Sequence, residues 1–331
     1  MTPDATALRG ARVLITGGLG FIGSTLARRL VDLSARVTVL DSLIPEYGGN
    51  LFNLEGYEER VRVNIGDMRD EHGIRHLVQD QDFIFNLAGQ VSHLDSMRDP
   101  FTDLEINCRS QLFLLEACRA RNPSVRLVNT STRQVYGRPI KLPVDEEHPL
   151  SPVDINGVHK LASDWYAHLY HHAYGLRATS LRLTNTYGER MRVKDARQTF
   201  LGLWLRQLLE GSCIEVFGDG SQKRDFNHVD DVVEALLATA LCRETEGGVY
   251  NLGSCEVVSL RDLARLLVEI NGGGAYRLIP FPEDRQRIDI GSFYAASDKL
   301  RRVLGWTPKV SLREGLARAL EYFRAHLDRY R

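Results

Sequence analysis

Gly17, Gly20 and Gly23 stand three residues apart, after an apolar run (Val13–Ile15) and before a stretch with apolar residues at Phe21, Leu26, Leu30 and Val31. The pattern reads as strand, tight turn and helix. Such a turn admits backbone where a side chain would block it, and it aims the free N–H groups of a helix N-terminus at a phosphate. A glycine triplet alone also suits any crowded strand-to-helix turn. Two acids add to it. The run Arg36–Leu40 ends in Asp41, near the spacing at which an acid takes the ribose hydroxyls of NAD. A further run, Val61–Ile65, ends in Gly66-Asp67-Met68, where an acid reaches the adenine end. Together these residues predict a dinucleotide site, the bland alternative for Asp41 being a solvated strand-end aspartate.

The elements that hold this site alternate between strand and helix patterns, which implies a parallel sheet wrapped by helices. Asp82–Leu87 reads as a buried strand ending in Ala88-Gly89, small residues beside which a cofactor fits. Leu104–Ala120 reads as one amphipathic helix, Arg126–Val128 as the next strand, Asn156–Tyr174 as a helix and Ala178–Leu183 as a strand. Beyond Glu189 the alternation breaks. Phe200–Leu209, Ile214–Phe217, Leu260–Ile270 and Leu312–Phe323 are assigned to a smaller lobe, while Val229–Leu241 and Gly248–Leu252 return to the main sheet. The expected fold is α/β, a Rossmann-type doubly wound parallel sheet with a smaller interleaved α/β substrate-binding lobe. Residues 1–188, with 226–254 returning, form the first, and residues 189–225 and 255–331 the second, with ligand in the crevice between.

A chain of 331 residues can bury a substantial core, and its net charge of -1 leaves no electrostatic footprint for nucleic acid or an anionic membrane. No apolar stretch is long enough to span a bilayer, and MTPDATALRG lacks the charged and apolar regions of a signal peptide. The five cysteines form no C-x-x-C pair, so neither a disulfide frame nor a zinc site is expected, and no metal. The expectation is a soluble, cytoplasmic protein.

The landmarks continue along the chain: Asn86-Leu-Ala-Gly89, Ser131–Gly137 (S-T-R-Q-V-Y-G), Lys160, Asn185, Gly218-Asp-Gly220, Arg224-Asp-Phe226 and Leu304-Gly-Trp-Thr-Pro308. In this order the sequence resembles the extended short-chain dehydrogenase/reductases of the nucleotide-sugar epimerase and dehydratase type, over nearly its whole length. The resemblance implies bound NAD. Gly17, Gly20, Phe21 and Ile22 would form the pyrophosphate turn, Asp41 and Ser42 would hold the adenosine ribose, and Asp67 and Met68 the adenine. Leu87, Ala88 and Gly89 would line the nicotinamide half. Lys160 would bind the nicotinamide ribose, and Thr132 would hydrogen-bond the sugar hydroxyl being oxidised, unless it only caps its strand. Asn185, Arg224 and either Arg285 or Arg287 would hold the substrate's diphosphate, because guanidinium forks suit phosphate oxygens; a solvated loop is the other reading of Arg285 and Arg287. An acid at Asp41 favours NAD over NADP.

Two departures matter. Where the family motif is Tyr-x-x-x-Lys, this chain reads Asn156-Gly-Val-His-Lys160. A phenol with a pKa of about 10 can be drawn toward neutrality, whereas an amide has no comparable proton to exchange. Asn156 can orient a hydroxyl but cannot take its proton. His159, one helical turn on, and His93, after Gly89-Gln-Val-Ser92, are the candidate replacements, with a surface or packed histidine as the alternative for each. Tyr136 is usually structural in the family, and Lys160 acts only if neutral. Secondly, the dehydratases carry Asp-Glu directly after the threonine, and here those positions are Arg133 and Gln134, neither of which does that proton work. The leading expectation is therefore an NAD-dependent nucleotide-sugar epimerase acting at C4 on a nucleotide-diphosphate sugar. Dehydration, decarboxylation or simple oxidation is the alternative, and a catalytically silent NAD or nucleotide-sugar binder the alternative of another class. The resemblance also implies a homodimer, paired through the helices Leu104–Ala120 and Asn156–Tyr174.

Overall fold

The computed structural model describes residues 5–44, 46–197 and 199–331. Met1–Asp4, Pro45 and Gln198 lie outside the described residues, and with them the first part of the stretch read above for a leader.

Among the described residues the strands are β1 (Arg12–Thr16), β2 (Arg36–Asp41), β3 (Val61–Ile65), β4 (Phe83–Asn86), β5 (Arg126–Thr132), β6 (Arg177–Leu183), β7 (Asn185–Tyr187), β8 (Ile214–Phe217), β9 (Lys223–His228), β10 (Val249–Leu252), β11 (Val257–Ser259) and β12 (Tyr276–Ile279). Seven form one parallel sheet in the order β10-β6-β5-β4-β1-β2-β3. Both faces of this sheet are buried, which explains the unbroken apolar runs of β1 and β4. On one face Val13, Ile15 and Phe85 meet Leu26, Leu30, Val232 and Leu236 from the helices Phe21–Asp32 and Val229–Leu241. On the other, Leu14, Ile84 and Leu127 meet Leu114, Leu115 and Ala167 from Ser110–Arg121 and Ile155–Tyr174. The strand order reverses between β1 and β4, so a crevice opens beyond their carboxyl ends, where ligands of such sheets bind. Thr16 closes the base of that crevice. Its Oγ1 donates to Asn86 Oδ1 at 2.8 Å and accepts from the N–H groups of Leu87 and Ala88, both at 3.2 Å.

The second lobe contains a three-stranded sheet, β11-β9-β7, and the pair β12-β8. Its core joins Trp204, Leu205, Leu263, Leu267, Leu316 and Phe323. Phe21, at the start of the first helix, belongs to this same core, so the glycine turn is pinned between the lobes. Phe226–His228 still belong to β9 in the small sheet, and Val229 to the second lobe's core, so the chain rejoins the main sheet only at β10.

The single helix expected over Leu104–Ala120 is instead three segments: Pro100–Leu104, a π-helical stretch Glu105–Arg109, and Ser110–Arg121. The side chains of Ser110 and Gln111 both donate to the Ile106 carbonyl, at 2.6 and 3.0 Å, and occupy the acceptor of the regular ladder. Asn107, in the widened turn, is fully buried and donates to Asp103 Oδ2 at 3.0 Å.

Candidate active site

The glycine turn is as tight as its spacing implies. Gly17 has φ of 68°, and a Cβ there would lie 2.9 Å from Ala88 N; one at Gly23 would lie 2.2 Å from Gly17 O. The helix Phe21–Asp32 starts at Gly20 with no side-chain cap and no acid in its first turn, which leaves its N-terminal N–H groups for a ligand. Asp41 braces the turn, its two oxygens accepting from Leu19 N at 3.0 Å and Leu43 N at 2.9 Å. Burial raises its pKa, and those backbone donors oppose the rise. Asp67 is held by Arg69 at 2.6 Å, and that pairing lowers its pKa. Gly17, Gly20, Phe21, Ile22, Asp41 and Ser42 line one cleft with Asp67, Met68, Leu87, Ala88 and Gly89.

At the inner end of the cleft sits Lys160, 8% exposed, with no hydrogen bond or ion pair among the described residues. Burial lowers its pKa, against the opposing fields of Asp103 and Asp164. Its Nζ crowds Gly89, where a Cβ would come within 2.7 Å of it and 2.8 Å of Asn107 Oδ1. That Asn107 oxygen is buried without a hydrogen-bond partner among the described residues. A buried ammonium and an orphaned acceptor side by side call for ligand hydroxyls, which a ribose supplies. These residues fit a bound dinucleotide.

Thr132 closes β5 and caps the short 3-10 helix Arg133–Tyr136, its Oγ1 accepting from Gln134 N at 3.3 Å. Capping uses a lone pair and leaves the hydroxyl proton for a substrate, so both readings of this residue coexist. Asn156 also lines the cleft, but its amide nitrogen is committed to Gln90 O at 2.9 Å, Gln90 Oε1 at 3.2 Å and Asp103 Oδ2 at 3.1 Å. His159 does not line the cleft: its Nδ1 lies 2.7 Å from Asp103 Oδ1, and Asp103 stands between it and Asn156. Tyr136 is also withdrawn, donating to Asn251 at 2.6 Å, with burial pushing its pKa up to about 12.

His93 does line the cleft, and its Nδ1 lies 3.1 Å from Asp154 Oδ2, within ion-pair distance but not aligned as a hydrogen bond. Asp154 went unremarked in the sequence, although an Asp directly before a helical pattern is a recognised N-cap signal. Its Oδ1 accepts from Gly157 N at 2.7 Å at the start of the helix Ile155–Tyr174, and its Oδ2 accepts from Gln134 Nε2 at 3.1 Å. Burial raises its pKa, but His93, Gly157 and Gln134 together outweigh that and leave it below the ordinary value.

On the substrate side Asn185 lines the cleft, its Oδ1 accepting from Arg133 at 3.2 Å. Arg133 lines it too, an unanticipated cation over the Phe293 ring at 5.7 Å. Arg224 lies outside the lining. It is buried, and its guanidinium donates to the carbonyls of Gly291 and Lys223, an arrangement set by the register of β9. Arg285, 5.6 Å from the Phe217 ring, and Arg287, just past the helix Glu283–Gln286, also lie outside it. The structure thus does not gather the expected diphosphate arginines into the cleft; it places Arg133 there.

The chain belongs to the NAD dependent epimerase/dehydratase family, which matches residues 13–253. It is 32% identical over 320 residues to a UDP-glucose 4-epimerase of Mycolicibacterium smegmatis, covering 95% of this chain and 98% of that one. Among solved structures, UDP-glucose 4-epimerase from Thermotoga maritima, determined with UDP-glucose, superimposes with a TM-score of 0.87 at 30% identity, covering 96% of this chain and 99% of that one. A dTDP-glucose 4,6-dehydratase from Streptomyces venezuelae, solved with NAD bound, gives a TM-score of 0.87 at 28% identity and covers 96% and 98%. NAD is the cofactor that the cleft fits.

Proposed function

We propose that the protein is an NAD-dependent nucleotide-sugar epimerase acting at C4 through a transient 4-keto sugar. The observation that carries this reading is one continuous cleft, lined by the glycine turn and Asp41 at one end and by Thr132, Lys160 and Asn185 at the other. NAD, when bound, supplies a hydride acceptor that later returns what it took. Lys160 holds ribose hydroxyls with an ammonium that has no other partner. The Thr132 hydroxyl orients the sugar hydroxyl, and Asn185 with Arg133 meets the anionic part of the nucleotide-diphosphate sugar.

Dehydration is disfavoured by chemistry at two positions. Arg133 carries no proton to exchange near neutrality, and Gln134 is occupied as the donor to Asp154. The homodimer of this reading has a surface to use: Val158, Trp165 and Leu169 are 47%, 55% and 57% exposed along one helix, beside Phe101 at 77% and Leu104 at 37%. A cytoplasmic location belongs to the same proposal; among the described residues no helix is long and apolar enough to cross a membrane.

The test is proton NMR of the protein with UDP-, dTDP-, GDP- and CDP-sugars in deuterated water. A new epimer without deuterium on carbon supports internal hydride return. Deuterium at C3, C5 or C6 means carbon-acid chemistry and overturns the C4 reading, and binding without turnover makes the protein a nucleotide-sugar binder.

A further inference from the structure

We propose that His93, held by Asp154, is the acid–base residue that exchanges a proton with the sugar hydroxyl oriented by Thr132. This rests on the epimerase reading above.

Five side chains near the reaction site compete for the role, and geometry separates them. Asn156 has no exchangeable proton, and its nitrogen is spent on Gln90 and Asp103. Tyr136 is 1% exposed, and its oxygen is shared between Asn251 and Arg182. His159 lies outside the cleft and its Nδ1 faces Asp103. Lys160 stands against the Gly89 backbone beside the orphaned Asn107 oxygen, the place that suits a ribose and not the sugar hydroxyl. His93 lines the cleft, and with Nδ1 turned to Asp154 its Nε2 has no partner among the described residues.

Asp154 gives the arrangement its rigidity. Its carboxylate caps the helix that carries Asn156 and Lys160, takes the Gln134 amide two residues beyond Thr132, and faces His93. One buried anion therefore connects the three segments that meet at the reacting hydroxyl. A carboxylate on one imidazole nitrogen fixes the ring's orientation and stabilises the imidazolium formed when the other nitrogen accepts a proton. In the forward step the sugar O–H bond breaks, the proton passes to His93 Nε2, and the freed electron pair closes the carbonyl. A bound oxidised nicotinamide beside Gly89 and Lys160 would supply the acceptor for the carbon's hydride. On return the 4-keto sugar has turned over, so the hydride would come back to its opposite face while His93 gives its proton back to the oxygen, and proton and hydride balance over the cycle.

The charged groups around the ring are few. Asp154 faces it from the helix N-terminus, and Arg133 lines the same cleft. On its own helix Asp95 is paired with Arg197 at 3.1 Å and lies 3.8 Å from Arg98, while Asp103, from the following helix, is taken by His159. Asp154 is thus the charged side chain within ion-pair distance of the ring.

The experiment compares wild type, His93→Gln and Asp154→Asn, each loaded with NAD, on the sugar that wild type turns over. Asparagine caps a helix as well as aspartate does, so the second variant keeps the fold while removing the charge. His93→Gln is expected to lower kcat about 100-fold or more with KM within about threefold. Asp154→Asn is expected to lower kcat about tenfold with KM within about threefold, and Asp154→Glu, which keeps the carboxylate, to recover part of that loss. Turnover by His93→Gln within about threefold of wild type, or a kcat unmoved in Asp154→Asn, overturns the proposal. So does loss of turnover in His159→Gln with His93→Gln intact. In those cases the epimerase reading stands. A wild type inert to every sugar removes both.

Discussion

Asn156 Nδ2 lies 3.1 Å from Asp103 Oδ2, and His159 Nδ1 lies 2.7 Å from the other oxygen of the same carboxylate. The residue in the tyrosine position and the histidine one turn along thus satisfy a single buried acid, and neither is free to move a substrate proton. Asp103 and Asn107 belong to the helix interrupted by the π-helical stretch and lie buried behind the cleft lining, where Asp103 holds Asn156 and His159 in place.

Restoring the tyrosine is therefore expected to harm the protein. Asn156→Tyr removes a donor from Asp103 and adds bulk at a site 2% exposed. The loss is about 1–3 kcal/mol. Thermal melting should show a Tm several degrees lower, and turnover should fall. A variant of equal Tm and higher turnover would contradict this account.

Gln134→Glu tests the Asp154 hub from its other side. The present amide donates to Asp154 Oδ2 at 3.1 Å, and a carboxylate there meets a buried like charge. About 1–3 kcal/mol of stability should be lost at neutral pH. Denaturant titration at pH 5 and 8 should show the deficit growing with pH as the new acid ionises.

Asp225 offers a pH signature. Burial raises its carboxyl to about 6, against the Ala295 N–H and the positive field of Arg133. A carboxyl raised in the folded state contributes stability that is complete below its unfolded pKa, about 3.9, and is lost as pH rises through about 6. Asp225→Asn removes this contribution. Its Tm relative to wild type should climb between pH 4 and 7, and a constant difference across that range would count against it.

Gly89→Ala places a methyl 2.7 Å from Lys160 Nζ. The ammonium must retreat from the position that suits a ribose. Purified variant should carry less NAD, with affinity by calorimetry weaker by about tenfold, or 1.4 kcal/mol. Unchanged NAD content would show that Lys160 does not need its present place.

The exposed Trp165 and Leu169 give a test of assembly. Trp165→Glu with Leu169→Glu should convert a dimer to a monomer in light scattering, with Tm reduced because folding and association are linked. A monomeric wild type would end the homodimer proposal.

What sequence alone determined is what depends on near neighbours. The glycine turn, its helix and Asp41 are legible because phosphate cradles are built from a short run of backbone, and the strand alternation follows from burial of both sheet faces. Lys160 and Asn156 are legible as a pair only through the resemblance to the family motif Tyr-x-x-x-Lys. Tertiary structure decided the rest. His159 lies one turn from Asn156, yet that face meets Asp103, 56 residues away in the chain, before it reaches the cleft. Arg224 has the chemistry of a phosphate ligand, but its register in β9 turns it to the Gly291 carbonyl. Arg133 looks like a mere loss of dehydratase chemistry until Asn185, 52 residues on, is placed beside it in the cleft. The dyad of His93 and Asp154 joins two helix N-termini that no local pattern connects. A side chain's type is written in the sequence, but its partner is set by packing between distant segments, and it is the partner that decides whether a polar group is free for chemistry.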